Sequence, residues 1–333
     1  MRNARYVLKL FGVMGLVLQM PPSAHPQPAP HGEHGMRTLF VAALEGQHVV
    51  PAVATDASGT GAFTLNGEGG RMAIAYDLTY QALPKPPRRI VLRNFGEGGV
   101  GKVVHVICGE ASPCPQQAGA TLKGEWTDRD VALPLTAALA REAAVGRVYA
   151  QIEDEAGQGV VRGQITTYDT MLPVQGFIAR LRPRSGAASA DAASGTGAFF
   201  LAQAPGGGQA MAYQVTIAGT EGAPTKALIV ASAAAGPGAA PRAGAPLQPL
   251  VEALPQRLPP RMAAEPAPGT GERKGGTIAG EIAPPRAGAV ILDRHTRTAN
   301  APGAPAGAEK LSVIIATEAD PNGELIGELT PVE

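Results

Sequence analysis

The chain repeats itself, and this repeat constrains the fold more than any other feature of the sequence. The block DASGTGAFTL at 56–65 returns as DAASGTGAFFL at 191–201. Three more blocks recur in the same order: 40–44 with 177–181, 72–76 with 211–215, and 159–165 with 323–329. A repeat of this kind indicates one structural unit used twice. We therefore expect two domains of one fold, over 37–168 and 173–333.

Within a copy, apolar residues alternate with small or polar ones. Alternate positions of 71–80 carry large apolar side chains: Met72, Ile74, Tyr76, Leu78 and Tyr80. Comparable runs, separated by Gly, Pro or Asp, cover 38–44, 60–65, 88–95, 102–107, 147–152 and 160–167. Period-two runs at this spacing are typical of antiparallel sandwiches and barrels. The sequence predicts a mainly β protein with two tandem antiparallel, β-sandwich or Greek-key-like domains.

Three features interrupt or anchor the strand pattern. Leu135, Leu139 and Ala140 can share one face of a short helix over 135–144. In the second copy, 233–270 is dense in Ala, Pro and Gly, a composition that buries too little apolar surface to offset the cost of ordering. We expect a disordered insertion there, and we interpret Trp126, the single tryptophan, as a core anchor.

The N-terminus has the order of a secretory signal. Arg2, Arg5 and Lys9 precede an apolar run at 10–18, and small residues follow up to Ala24. The run is far shorter than the roughly 20 residues that span a bilayer, so a stable membrane anchor is not expected. The sequence predicts a signal peptide at 1–24, a His- and Pro-rich tether at 25–36, and a secreted or periplasmic protein.

The net charge of the chain limits the kinds of partner that it can bind. Lys and Arg total 28, as do Asp and Glu, so the formal net charge is zero. Binding to nucleic acid depends on a basic excess that releases counterions, and anionic membranes attract basic segments. We expect no nucleic-acid partner. No motif calls for a cofactor, and none is expected.

The two cysteines, Cys108 and Cys114, lie six residues apart. In an exported chain such a pair indicates a disulfide. A metal site would need further ligands close by, and His105 alone is near in the sequence. We expect a Cys108–Cys114 bridge.

His25, His31 and His34 form a small histidine tract in the tether. Neutral imidazoles bind Cu²⁺, Ni²⁺ and Zn²⁺, so these residues are candidate metal ligands. The alternative is a solvated, Pro-rich spacer, because no closed ligand set is visible.

Other motifs resemble catalytic signatures without completing them. The run 96–102 (GEGGVGK) nearly spells a phosphate-binding loop, but a β-type run follows it where a helix is required. We expect a Gly-rich hairpin. His105 and His295 have no nucleophile arrangement in the sequence, and the acids 153–155 are interpreted as turn residues. No catalytic residue is predicted.

Several blocks resemble the chordin-type (CHRD) domain family. Matching segments are VPAV at 50–53, GTGAF at 59–63, GEW at 124–126, VY at 148–149 and GVVRGQ at 159–164. The resemblance covers nearly all of the first copy and the two ends of the second. It implies the fold and export.

The chain departs from the family pattern where the family carries polar residues. The family's His-Ile-His falls on 90–92 (IVL), its late Asn and His fall on Gln151 and Glu153, and a Glu falls on Val49. The resemblance therefore lends no active residue to this chain.

These observations favour a non-catalytic structural or interaction protein whose partner is an extracellular or envelope protein or a glycan. The alternative is an envelope protein that binds Cu, Zn or Ni through the histidine tract. An enzyme of unrecognised type is a third hypothesis, because catalytic residues can converge from distant strands. The sequence leaves open whether the two copies pack together.

Overall fold

The computed structural model describes residues 38–68, 71–96, 99–167, 173–186, 192–203, 209–232, 249–251, 274–282 and 310–332. The predicted signal peptide, the tether with its three histidines, His295 and most of the expected insertion lie outside these residues.

Domain 1 is a single antiparallel sheet of eight strands with one helix. Its elements are β1 (Thr38–Glu45), β2 (Ser58–Glu68), β3 (Arg71–Gln81), β4 (Arg89–Asn94), β5 (Val103–Cys108), β6 (Ala120–Thr127), α1 (Ala137–Ala144), β7 (Val148–Glu153) and β8 (Gly159–Gln164). The strand order is β5-β4-β7-β8-β1-β2-β3-β6. The sheet curls until its two edge strands face each other, with ring centroids of His105 on β5 and Trp126 on β6 only 5.4 Å apart.

Domain 2 repeats this topology. Its strands are β9 (Pro173–Pro183), β10 (Ser194–Gln203), β11 (Gln209–Thr220), β12 (Pro224–Ser232), β13 (Pro249–Val251), β14 (Lys274–Ile282), β15 (Lys310–Thr317) and β16 (Leu325–Val332). The order β13-β12-β15-β16-β9-β10-β11-β14 is that of domain 1 with every number raised by eight. The predicted mainly β class with two antiparallel domains is confirmed, and each sheet is nearly closed and barrel-like.

The interior of domain 1 follows the predicted alternation. Ile74, Leu78 and Tyr80 on β3 are at most 1% exposed, and they pack in one cluster with Trp126. The Trp126 indole N–H donates to the Leu133 carbonyl at 2.8 Å, so this large ring is buried without losing its hydrogen bond. The prediction that Trp126 anchors the core is confirmed.

The predicted helix forms, but it begins two residues later than expected. The Thr136 side chain caps α1 by accepting a hydrogen bond from the Leu139 amide at 3.2 Å. This threonine has extended backbone geometry, so the helix cannot include it. Leu135 lies just before the helix, and its side chain is buried, with 1% of its surface exposed.

The two domains pack face to face, which the sequence left open. The outer faces of β1, β2 and β3 contact those of β9, β10 and β11. A separate apolar cluster lies between the two domain cores: Leu39, Val41, Ala62, Ile178, Ala198, Phe200 and Ala212. Each domain thus has its own core, and a third apolar cluster joins them.

Around this cluster the interface has an approximate two-fold symmetry. Four hydroxyl pairs cross it: Thr60–Thr216 at 2.7 Å, Thr79–Thr196 at 2.9 Å, Ser58–Thr277 at 2.9 Å and Thr121–Ser194 at 2.8 Å. In the repeat, Thr60 corresponds to Thr196, and sheet register makes Thr79 equivalent to Thr216. Each contact therefore has a partner with the roles exchanged, as in an isologous dimer interface.

This symmetry explains the strongest block of the sequence repeat. In the block SGTGAF, Ser, Thr and Ala point toward the other domain, while Phe points into the core of its own domain. The second glycine makes room for that ring, because a Cβ on Gly61 would come within 2.5 Å of Phe63 and one on Gly197 within 2.7 Å of Phe199. In both copies, the block therefore supplies small side chains to the interface between the domains and one phenylalanine to the core of its own domain.

Two contacts across the interface break the symmetry. The Gln214 side-chain amide donates to the Gly59 carbonyl at 3.4 Å, and the side chain of the equivalent residue, Asp77, has no N–H to donate in return. The other contact is an ion pair. Asp77 on β3 is 4% exposed and receives two hydrogen bonds from Arg180 on β9, from Nε at 2.8 Å and from a terminal nitrogen at 2.7 Å. This bond to Asp77 raises the pKa of the Arg180 guanidinium. The equivalent positions carry Gln214 and Ala43, so the pair has no symmetry mate.

Candidate functional site

A buried ionic cluster lies on the outer face of domain 1. Glu153, at the end of β7, has no exposed surface. One carboxylate oxygen accepts hydrogen bonds from Arg89 at 2.8 and 2.5 Å. The other accepts from Arg93 at 3.1 and 2.8 Å and from the Gln151 amide at 3.0 Å. The structure therefore corrects the interpretation of Glu153 as a turn acid, because it is the anchor of this cluster.

Strand register produces the cluster. On β4, Ile90 and Leu92 point into the core, so Arg89 and Arg93 project from the opposite face. Antiparallel pairing with β7 then sets Arg89 opposite Glu153. Two guanidinium groups saturate one carboxylate, which leaves Glu153 held in place by charge-assisted hydrogen bonds and without a free lone pair for proton transfer.

The Gly-rich segment after β4 closes over this face. The guanidinium of Arg162 stacks on the Tyr149 ring at 3.6 Å and donates to the Gly99 carbonyl at 2.7 Å. The Gly101 amide donates to the Tyr149 hydroxyl at 3.0 Å. Because β5 follows at once and pairs with β4, the predicted hairpin is confirmed. The helix that a phosphate-binding loop requires is not at this position.

Beside the cluster lies an open cleft of about 750 Å³, which we call the seam cleft because it borders both edge strands of the sheet. Its walls come from the edge strands β5 and β6, the start of β4 and the end of β7, the disulfide loop, the segment after β6 and the β7–β8 turn. The lining residues are Arg88, Arg89, His105, Val106, Glu110, Ala111, Glu125, Asp130, Val131, Ala132, Leu133, Glu153, Asp154, Glu155, Ala156 and Gly157.

His105 is a second buried polar side chain in the lining of the seam cleft, besides Glu153. It is 9% exposed, stacks on Trp126, and meets the Tyr76 ring edge-on at a centroid distance of 5.9 Å. Its Nδ1 lies 3.6 Å from a carboxylate oxygen of Asp130, while Nε2 has no hydrogen-bond partner among the described residues. Burial lowers the pKa of His105, and the nearby Asp130 charge opposes that shift.

The cleft is acidic. Arg89 is paired with Glu153, and Arg88 lies 3.0 Å from Glu110. Both cations of the lining are thus matched by a carboxylate. Four further carboxylates line the cleft: Glu125, Asp130, Asp154 and Glu155. The walls therefore carry an excess of negative charge, which favours a cationic ligand.

The residues predicted as site residues have different outcomes. Cys108 and Cys114 form the predicted disulfide, and their loop carries Glu110 on the cleft wall. The candidate metal ligands His25, His31 and His34 lie outside the described residues. Among the residues that are described, no three side chains of His, Cys, Asp or Glu come together as a metal site.

Sequence reasoning missed the Arg89–Glu153–Arg93 cluster. The available signal was the placement of two arginines on one face of a strand whose other face is aliphatic.

In the described part of the chain, no helix has the length and apolar character needed to cross a membrane.

Comparison with known families agrees with this architecture. The model of the CHRD domain family matches residues 40–165, which run from β1 to just past β8. The match does not extend to domain 2, although the strand order is the same. No curated protein and no solved structure matches the chain. On this match, residues 40–165 of the chain form a CHRD domain.

Proposed function

We propose that this protein is an exported, non-catalytic interaction module in which domain 1 binds a protein partner. Domain 2 is, in this proposal, a divergent second CHRD-like copy that braces domain 1 through the pseudo-symmetric interface. The mature protein acts in the periplasm or outside the cell, after removal of 1–24.

The uneven distribution of exposed apolar side chains carries this proposal. Six large hydrophobic side chains of the described chain are exposed: Val50, Phe95, Val100, Val106, Val131 and Val145. All six belong to domain 1, and no domain 2 side chain whose burial is described joins them. Two of the six, Val106 and Val131, lie on the walls of the seam cleft. Exposed apolar groups in a cleft with polar walls are typical of surfaces that bind other molecules.

The chemistry of this surface supports a protein rather than a glycan. Five of the six exposed side chains are valines, which pack against aliphatic groups and cannot stack on a sugar ring. Phe95, the one aromatic ring among the six, is already partly covered by the Arg162 guanidinium 5.2 Å from its centroid. A non-catalytic role is supported by the saturation of Glu153, the most deeply buried carboxylate of the site.

Export rests on the N-terminal pattern, and a disulfide is typical of oxidising compartments. N-terminal sequencing of the native protein is expected to begin near His25. An intact Met1 on a cytoplasmic protein would contradict export.

Site-specific photocrosslinking in the native compartment tests the interaction. A photoreactive residue at Val131 samples the cleft of domain 1, and one at the exposed Thr330 samples domain 2 as the matched control. We expect a defined crosslinked species from position 131 that excess unlabelled protein competes away, and none from position 330. Crosslinks from position 330 alone would assign binding to the wrong domain and overturn the proposal.

A further inference from the structure

The seam cleft borders a strand edge that no other described strand pairs with. The strand order places β6 at one end of the domain 1 sheet, and among the described strands β3 is its single neighbour. The Thr127 carbonyl accepts from the Leu135 amide at 2.8 Å, away from β3, whereas the Asp128 amide donates to Met72 on β3. Backbone groups alternate in direction along a strand. The N–H and C=O of Glu125 and Lys123 therefore point away from β3, toward the open edge.

Side chains near this edge combine two properties. Val106 and Val131 are 40% and 101% exposed on the cleft walls. The carboxylates of Glu125 and Glu155 are exposed and have no cationic partner in the described chain. Apolar and acidic groups together beside an open strand edge are complementary to an extended segment that carries both aliphatic and basic residues.

His105 adds a hydrogen-bonding vacancy at the cleft wall. Because Nδ1 faces the Asp130 carboxylate, the tautomer with the proton on Nδ1 is favoured, and Nε2 is left as an acceptor. Buried acceptors are ordinarily paired, and this one has no partner in the described protein. Because this nitrogen is itself buried, it lies behind the cleft wall and is not offered as a contact of the ligand.

We propose that the seam cleft binds an extended segment of a partner protein in which arginine or lysine alternates with aliphatic residues. The segment adds as a strand to the free edge of β6, its basic side chains lie among Glu125, Asp130 and Glu155, and its aliphatic side chains cover Val106 and Val131. This inference rests on the proposed function and names the chemistry of the partner.

Peptide binding to the full-length mature protein tests the inference. The probe is a blocked peptide in which Val and Arg alternate over six residues, followed by calorimetry at physiological salt. Two probes are controls: the same peptide with Glu in place of Arg, and the same peptide with N-methyl groups on alternate backbone amides. We expect saturable one-to-one binding of the Val–Arg peptide, at least roughly tenfold weaker binding after N-methylation, and none of the Glu peptide.

Charge variants identify the site. Glu125→Gln combined with Glu155→Gln is expected to weaken binding by about tenfold. The matched pair Glu142→Gln with Glu221→Gln removes the same charge away from the cleft and is expected to leave binding unchanged. Circular dichroism checks that both proteins stay folded. Equal weakening by the two pairs would show non-specific attraction and overturn the inference.

The inference and the proposed function can fail separately. Absence of peptide binding, while position 131 still crosslinks to a partner, would overturn the basic-segment inference and leave the interaction module intact. Absence of crosslinks from domain 1 would overturn the proposed function itself.

Discussion

The two domains share a strand order but differ on one face. Sheet register aligns Arg89, Arg93, Glu153 and Arg162 of domain 1 with Lys226, Val230, Ala316 and Ile326 of domain 2. In domain 2, Val230 and Ala316 are buried at 1% and 4% exposure. Where domain 1 has an ionic cluster, domain 2 therefore has three aliphatic residues and one lysine on the same strands. Since buried ion pairs are not required for stability, the cluster of domain 1 marks a specialised surface.

The face that joins the domains differs far less. Serine, glycine, threonine and alanine occupy the same places on β2 and β10. Both copies must present a surface that fits the other, whereas the cleft side of domain 1 has no such partner. Residues at the interface between the domains are therefore alike in the two copies, and residues on the cleft side differ.

The largest expected effect comes from breaking the cluster. Glu153→Ala leaves Arg89 and Arg93 without their carboxylate and should destabilise the protein by about 3–5 kcal/mol in urea unfolding. The triple variant Arg89→Lys, Arg93→Val and Glu153→Ala installs the residues of domain 2 and should recover most of that loss. A triple variant as unstable as the single one would contradict the equivalence of the two faces.

Loss of the asymmetric ion pair should have a smaller effect. Arg180→Ala leaves the buried Asp77 carboxylate unpaired and should cost about 2 kcal/mol, reduced because the Arg180 side chain is 59% exposed and solvent screens the pair. Adding Asp77→Gln reproduces the Gln214 and Ala43 arrangement and should restore most of the stability. Thermal unfolding of the single and double variants measures both effects, and a double variant less stable than Arg180→Ala would contradict this assignment.

The disulfide stabilises domain 1 alone, because both cysteines of the chain are in it. Replacing Cys108 and Cys114 together by Ala should lower stability by about 2 kcal/mol or less, since the closed loop is short. Calorimetry should show the lower transition temperature in the variant. Reductant should lower the wild-type transition and leave the variant unchanged, and free thiols in the exported protein would contradict the bridge.

His105 should give domain 1 a small pH dependence. Its pKa is lower in the folded than in the unfolded protein, so the unfolded chain binds more protons between the two values. Stability should therefore be complete above the ordinary pKa of about 6.5 and should decrease as the pH falls through the folded value. Unfolding midpoints between pH 5 and 8 measure this effect. His105→Gln should abolish it, while His48→Gln at an exposed site should not.

Much of the fold could be predicted because its signals are local. Alternation in 71–80 identified the side chains of β3 that pack in the core, and the repeat identified two domains. The interface could not be predicted in this way. Asp77 and Thr79 lie on the polar side of the same strand, where residues of this type ordinarily meet water, and they are buried because domain 2 covers them.

The site was less predictable for a similar reason. Glu153 precedes a turn, and its carboxylate looks solvated when the sequence is read alone. Its partners Arg93 and Arg89 are 60 and 64 residues away along the chain, and strand pairing alone brings them together. The cleft likewise combines six separate segments of domain 1, so no single segment of the sequence indicates it.

The two-fold interface has a consequence for assembly. Each chain carries two complementary faces, so domain 1 can in principle pair with domain 2 of its own chain or with that of another chain. The connection between β8 and β9 keeps the local concentration of the internal partner high, at the millimolar level typical of short linkers, and this favours closure within one chain. At protein concentrations approaching that level, exchange of domains would link chains into closed dimers or linear polymers. The Asp77–Arg180 ion pair joins a residue of domain 1 to a residue of domain 2. It therefore favours pairing of domain 1 with domain 2 over pairing of two copies of the same domain.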